Sequence, residues 1–559
     1  MDRRSLALVA VLASAVACEK KTRTAPAPAP VEVVAKPAVV DVSRLTAPAL
    51  FASVPTDTPY MLAAFEAIPL EYYAKFKRAV GPAMGSAFAQ LGTLMEDEGA
   101  DRVMTAIAQE LEGKWDAKGL ESLGFTASPR FALYGLGVAP VVFRIEVRDD
   151  KAVLATIDRI AQRAGVTLTA PQTQDARSFW RKQSKDGETA SILALADKQL
   201  VVAFGRTAEI DKNLGLILGS EKPQASMASG KALTDIMVKH GFGPHLIGFV
   251  DTRKMITQGM EFAGQPPSPA CTMEIARLGA RVPRAVMGYT LLGTSVASGG
   301  AILELAPDLV AQLQGLRTQV PGLTEAVAGK PMFAVGFGIQ IDGARKLALD
   351  AAAAVRRLGE ACELAKLVEQ AADAGDTLSR PLPGPLATMT GLVMAVHEIS
   401  FGTSSPVPDK IEGYAALTST NAQALWGQLE GDEPKLGKLG IRADGRVHAV
   451  TGLGVPFPIH GGVGERAIVL GIGTKGKPLA ESAIGARATT SAPFMVMTYD
   501  YGKFLELQSQ LSLLVGGADP LQEVERKLNE GLATLFGRAA ASLDVGTHGL
   551  AFWGTIEMK

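Results

Sequence analysis

Two glycine-rich turns, a serine near glycine and six histidines are where this chain could bind a cofactor or attack a substrate. Gly471 to Gly476 reads GIGTKG and follows an apolar run, the letter pattern of a dinucleotide loop. Such a loop also needs an acid about 20 residues on, and none stands between Glu481 and Asp500. The stretch ASMASGKAL puts Gly230 before Lys231, but a phosphate loop needs glycine and a hydroxyl residue where this chain has Ala225 and Ala232. GTSVA around Ser295 approaches a nucleophile elbow, yet it falls in an expected hairpin and not in a strand-to-helix turn. His240, His245, His397, His448, His460 and His548 contain no HExxH pair, and GFGP between the first two breaks any helix. Glu96, Asp97, Glu98 and Asp101 lack the alternation and glycine of a calcium loop. We therefore expect no catalytic, metal or cofactor-binding residues, and no enzyme. A hydrolase assembled from distant residues is one alternative.

The thiols are more informative. Arg3 and Arg4 precede an apolar or small-residue run, Ser5 to Ala17. That run is too short for a bilayer core of roughly 30 Å, which takes about 20 helical residues. It suits the apolar region of a secretory signal, with Ala15-Val16-Ala17 as the cleavage site before Cys18. The stretch resembles a bacterial lipoprotein signal, departing from it where Ala15 replaces the usual leucine. The resemblance implies that Cys18 receives a diacylglycerol, becomes the first residue after cleavage at 1–17, and is acylated on its new amino group. Plain secretion into the periplasm would cut the same bond. Two or more acyl chains anchor stably, where one holds only marginally. Glu19, in place of the aspartate that retains enterobacterial lipoproteins in the inner membrane, favours the outer membrane.

Residues 18–45 then form a lipidated stalk. Its Ala-Pro repeats favour extended polyproline II, at about 3.1 Å per residue and a reach of at most roughly 80 Å. The body behind it exceeds one ordinary core. Its 47% hydrophobic content argues for globular structure. A net charge of −1 and 6% aromatic residues give nucleic acid neither a basic field nor a stacking platform.

The body reads as duplicated. Pro59 in DTPYMLAAF matches Pro331 in GKPMFAVGF; Val147 falls on Leu417, Leu200 on Ile468, Asp251 on Asp500 with Lys254 on Lys503, and Glu304 on Glu557. Five blocks keep one order. Each unit is a strand, a turn and an amphipathic helix, and AVMGYTLLGTSVASGGAILEL closes the first copy as a hairpin. The expected fold is α+β: two tandem duplicated repeats of strand–helix units and hairpins on mostly antiparallel sheets, over 46–320 and 325–559.

The start VPTDTPYMLA, and RVPRAVMGYT further on, resemble a group of uncharacterised proteobacterial envelope lipoproteins in which such a stretch follows a lipidated cysteine and linker. The resemblance implies an envelope location and carries no catalytic residues. The expected function is an outer-membrane-anchored periplasmic lipoprotein that binds, scaffolds or assists envelope assembly. Its partners would be the membrane through the anchor, envelope proteins or lipid. A carrier of an apolar ligand is the other alternative. Cys271 and Cys362, an even pair in an oxidising compartment, are expected to form a disulfide, with two independent buried thiols as the alternative.

Overall fold

The computed structural model describes residues 41–72, 74–75, 100–114, 116–168, 170–381, 384–401, 408–487, 491–515 and 520–559. The signal, Cys18, the stalk up to residue 40, and Glu96, Asp97 and Glu98 lie outside the described residues. The chain forms two compact units. The first is built on Lys36–Ala306, joined by Ala518–Leu535 and Glu557–Lys559; the second on Pro307–Gly517 and Phe536–Ile556.

The first unit carries strands β1 (Tyr60–Ala63), β2 (Phe131–Gly135), β3 (Val141–Glu146), β4 (Gln172–Gln174), β5 (Arg177–Gln183), β6 (Thr189–Ala196), β7 (Gln199–Arg206), β8 (Ile247–Asp251), β9 (Arg284–Leu292) and β10 (Val296–Glu304). They pair in the order β4-β5-β6-β7-β3-β2-β1-β8-β9-β10, antiparallel throughout. The second unit carries β11 (Phe333–Gly338), β12 (Met389–Phe401), β13 (Pro408–Ser419), β14 (Val447–Ala449), β15 (Ile459–Val463), β16 (Ala467–Ile472), β17 (Met495–Asp500), β18 (Phe536–Val545) and most of β19 (Gly549–Met558). Their order is β14-β15-β16-β13-β12-β11-β17-β18, again antiparallel. Leaving out the edge strand β4, each position from β5 to β9 has a counterpart from β14 to β18.

Local sequence explains where the helices begin. Asp149 caps Asp150–Ala164 by accepting the Lys151 and Ala152 amides at 2.9 and 3.3 Å, and Gly165 ends it at φ 64°. In the second unit Asn421 caps Ala422–Asp432 through the Ala424 amide at 3.0 Å. Asp251 accepts the Lys254 amide at 2.9 Å, and Asp500 accepts the Lys503 amide at 3.2 Å. These caps start the helices Thr252–Phe262 and Tyr501–Val515.

The register corrects two of the sequence matches. Ile145 pairs with Leu200 and Leu417 with Ile468, so Ile145, not Val147, stands where Leu417 does. The Asp251 amide donates to the Pro59 carbonyl and the Asp500 amide to the Met332 carbonyl, both at 2.8 Å, so Pro59 corresponds to Met332 and not to Pro331. The division of the chain also falls earlier than residue 320. Leu316 and Thr318 belong to the second unit, where the Gln340 amide donates to the Leu316 carbonyl at 2.8 Å and the Thr318 hydroxyl to the Thr390 carbonyl at 2.7 Å.

Candidate binding face

Partners across an antiparallel sheet lie on one face. In the first unit, Ala194, Val201, Arg144, Ala132 and Ala63 form one such row, and Ile192, Ala203, Val142, Tyr134 and Met61 another. Every one of them is buried. The helices Leu214–Leu218 and Ala232–His240 and the turn Ala49–Ser53 pack against the sheet, with Leu50, Phe51, Ile217, Ile236 and Met237 fully buried.

The opposite face is also apolar. Its central row runs Leu193, Val202, Phe143, Leu133 and Leu62, and continues past Gly248 to Met287. Phe204, paired with Val141, lies beside Val202 along β7. Among the described residues this face is exposed at the two ends of the row, Phe204 at 56%, Val202 at 38% and Met287 at 40%, with Phe143, Leu133 and Leu62 between them half-buried. Strands that are apolar on both faces ordinarily have both faces covered. The second unit meets that condition at the corresponding places. There Leu470 packs with Trp426 and Ile441, and Ile472 with Ile411 and Phe457. The first unit leaves Val202 and Phe204, the counterparts of Leu470 and Ile472, in the open. Val202 and Phe204 adjoin on β7, and Met287 lies at the far end of the same row on β9.

The polar groups near the sheets are engaged elsewhere. Glu304 is 4% exposed; its carboxylate accepts from Lys239 at 2.8 Å and Arg284 at 2.9 Å and lies 2.6 Å from His240 Nε2. Burial alone would raise its pKa, but the hydrogen bonds from His240, Arg284 and Lys239 outweigh that and hold it far below the usual range. The carboxylate is saturated by donors, which suits a structural clasp.

The GIGTKG turn is closed by the chain itself. The buried Glu412 carboxylate accepts the Thr474 amide at 3.1 Å, the Thr474 hydroxyl at 2.5 Å and the Lys475 amide at 2.7 Å. It occupies the amides that a phosphate would need. Gly473, at φ 89°, has no room for a side chain: a Cβ would lie 1.9 Å from the Ile411 carbonyl oxygen. In the first unit Pro140 crowds the corresponding Gly205.

The other sequence candidates are scattered. Ser295 lies in the β9–β10 turn, where the Gly293 amide donates to the Val296 carbonyl at 2.9 Å. Lys231 precedes the helix Ala232–His240. His448 meets Asp444 at 2.9 Å. His460 lines a shallow hollow of about 210 Å³ with Leu453, Val455 and Phe457, and burial, with Lys477 nearby, pushes its pKa down. Among the described residues no three His, Cys, Asp or Glu side chains are grouped to hold a metal, and no helix is long and apolar enough to cross a membrane. Cys271, near the start of the helix Pro269–Arg281, and Cys362, which ends Ile341–Ala361, are both buried and both in the disulfide form.

Sequence reading missed Arg144, Arg206 and the open face. The signal for the face was present: SILALA and QLVVAF lack the polar alternation of a half-solvated strand. A lone arginine in VVFRIE was the signal for Arg144. The chain matches no known family model, no curated protein and no solved structure.

Proposed function

We propose that this is a non-enzymatic, envelope-tethered binding protein. It is exported, cut before Cys18, lipidated there and held at the outer membrane facing the periplasm, and its body arose by tandem duplication. The common strand order and the paired Asp251 and Asp500 caps support the duplication. The open apolar face of the first sheet carries the binding reading. A photoreactive benzophenone side chain placed at position 204 of the full lipoprotein should capture a lipid or an envelope protein, while the same group at exposed Val238, on the helix Ala232–His240, should not. Capture of nothing at position 204 ends the binding reading.

The anchor is tested separately. Cys18→Ala should abolish acyl labelling and move the protein out of the membrane fraction. Unchanged detergent partitioning of that variant would defeat the lipoprotein assignment.

We further propose that Cys271 is bonded to Cys362. Closing a loop of this length stabilises by at most about 4.6 kcal/mol in the chain-entropy account. Unreduced peptide mapping should yield one crosslinked fragment carrying both residues, and reduction should lower the unfolding midpoint. Two titratable thiols in the denatured, unreduced protein would count against the bond.

A further inference from the structure

We propose that the open face of the first sheet holds a long-chain fatty acid, with its acyl chain along the apolar row and its carboxylate at Arg206. This rests on the binding reading above and narrows it to one ligand class.

The row itself argues for hydrocarbon. Protein interfaces carry about one hydrogen bond per 100–200 Å². From β7 to β9 the side chains of Val202, Phe143, Leu133, Leu62 and Met287, with Phe204 beside them, offer no strong donor or acceptor. A protein partner laid along this row would find no side-chain donor or acceptor in it, the nearest being Ser191, Tyr60 and Tyr289 in the flanking rows. A polymethylene chain has no polar groups to pair.

Five strand spacings separate β7 from β9, about 24 Å at roughly 4.8 Å each. One acyl chain reaches about half of a 30 Å bilayer core, or about 15 Å. The row is longer than one such chain, so a chain headed at Arg206 covers Phe204 and the β7 end of the row.

The polar end is supplied by Arg206. It follows Phe204 by two residues on β7, so it stands on the same face at the end of the apolar surface. The side chain is exposed, and among the described residues it has no carboxylate partner. Its guanidinium lies 3.8 Å over the Phe262 ring and donates Nη1 to the Phe262 carbonyl at 2.5 Å. This contact fixes the fork at the mouth of the face and leaves further N–H groups for a carboxylate, the pairing arginine makes best. An apolar floor ending in a held cation matches an amphiphile with one anionic end.

The mature chain carrying Cys18→Ala is titrated with dansyl-undecanoic acid, and the probe is displaced with oleic acid and with oleyl alcohol. The wild-type face should bind the probe and release it to oleic acid. Phe204→Asp should weaken both competitors at least about tenfold, since it puts a charge on the acyl path. Arg206→Gln should weaken oleic acid about tenfold and leave oleyl alcohol unchanged, a split that mere structural damage would not produce. Val238→Asp, on an exposed helix position, should change nothing. Circular dichroism and thermal unfolding check that each variant is folded.

No probe binding by the unaltered face overturns the proposal, as does equal displacement by oleic acid from all three variants. If the benzophenone at position 204 captures a protein while the face ignores the probe, the fatty-acid assignment falls and the binding reading stands. If it captures nothing, both fall.

Discussion

Glu304→Gln is expected to cost about 3–5 kcal/mol of stability, because it strands three buried or half-buried donors that one carboxylate now serves. Gln fills the same volume, so the loss is electrostatic. Its amide presents a donor toward Lys239 and Arg284, which need acceptors. The effect carries a pH signature. The folded carboxyl titrates below its ordinary value of 4.5, so its contribution is complete above that value and is lost as pH falls through the folded value. The gap between wild type and variant, measured by urea unfolding, should be full at pH 6 and narrow steadily below about 4.5. A gap that does not change with pH, or one under about 1 kcal/mol, would show that the clasp is not what holds β10 to the helix Ala232–His240.

The second large effect is at Arg144, 1% exposed in the middle of the first sheet. Among the described residues it has no carboxylate partner. Its Nε donates to the Tyr134 hydroxyl at 3.0 Å, Nη1 to Gln199 at 3.1 Å, and Nη2 to the Leu216 and Ile217 carbonyls at 3.0 and 2.7 Å. These carbonyls end the helix Leu214–Leu218, where a cation is favoured. Arg144→Met keeps most of the volume but takes the arginine donor from the buried Ile217 carbonyl and Gln199 amide oxygen, while the Leu216 carbonyl keeps the Gly219 amide at 3.2 Å. At about 1–3 kcal/mol for each such group, the expected loss is about 3–5 kcal/mol after partial relaxation. Arg144→Lys should recover only part of it, since one ammonium cannot reach three directions in a plane. Chemical denaturation of the three proteins checks the order. A Lys variant as stable as wild type would mean that the charge alone matters and not the fork.

How legible this was in the sequence depended on how exact a position each signal marks. Helix caps mark single positions, so Asp251 and Asp500 align correctly, both accepting the amide three residues on. The turns of β6–β7 and β15–β16 also mark positions, and Leu200 and Ile468 stand at the same place after them. Strands apolar on both faces mark none. A slip of two residues leaves VVFRIEV and GYAALTS looking equally good, so the pattern alone places Val147 on Leu417 where the strand pairing places Ile145. The Pro59 match slipped by one residue for the same reason, drawn by a shared proline. Side-chain clasps such as that of Glu412 on Thr474 and Lys475 join residues 62 and 63 positions apart, and no local pattern announces them.

The edge of the first sheet bears on how such a face can exist at all. A twisted antiparallel sheet with one side apolar and uncovered is a template for stacking and strand addition, the route to cross-β aggregates. Among the described residues β4 has only three residues, all polar, and pairs only through Gln172, Thr173 and Gln174. Beyond it, β5 continues with Trp180, Arg181, Lys182 and Gln183. A strand arriving from another copy would have to align its backbone beside the Arg181–Asp211 ion pair and the Lys182 ammonium. Desolvating those charges opposes such addition. The molecule can therefore present an apolar surface to solvent while its edge discourages other copies from zipping onto it. Replacing Arg181 and Lys182 with apolar residues would remove that barrier and turn the apolar face into a seed for fibres.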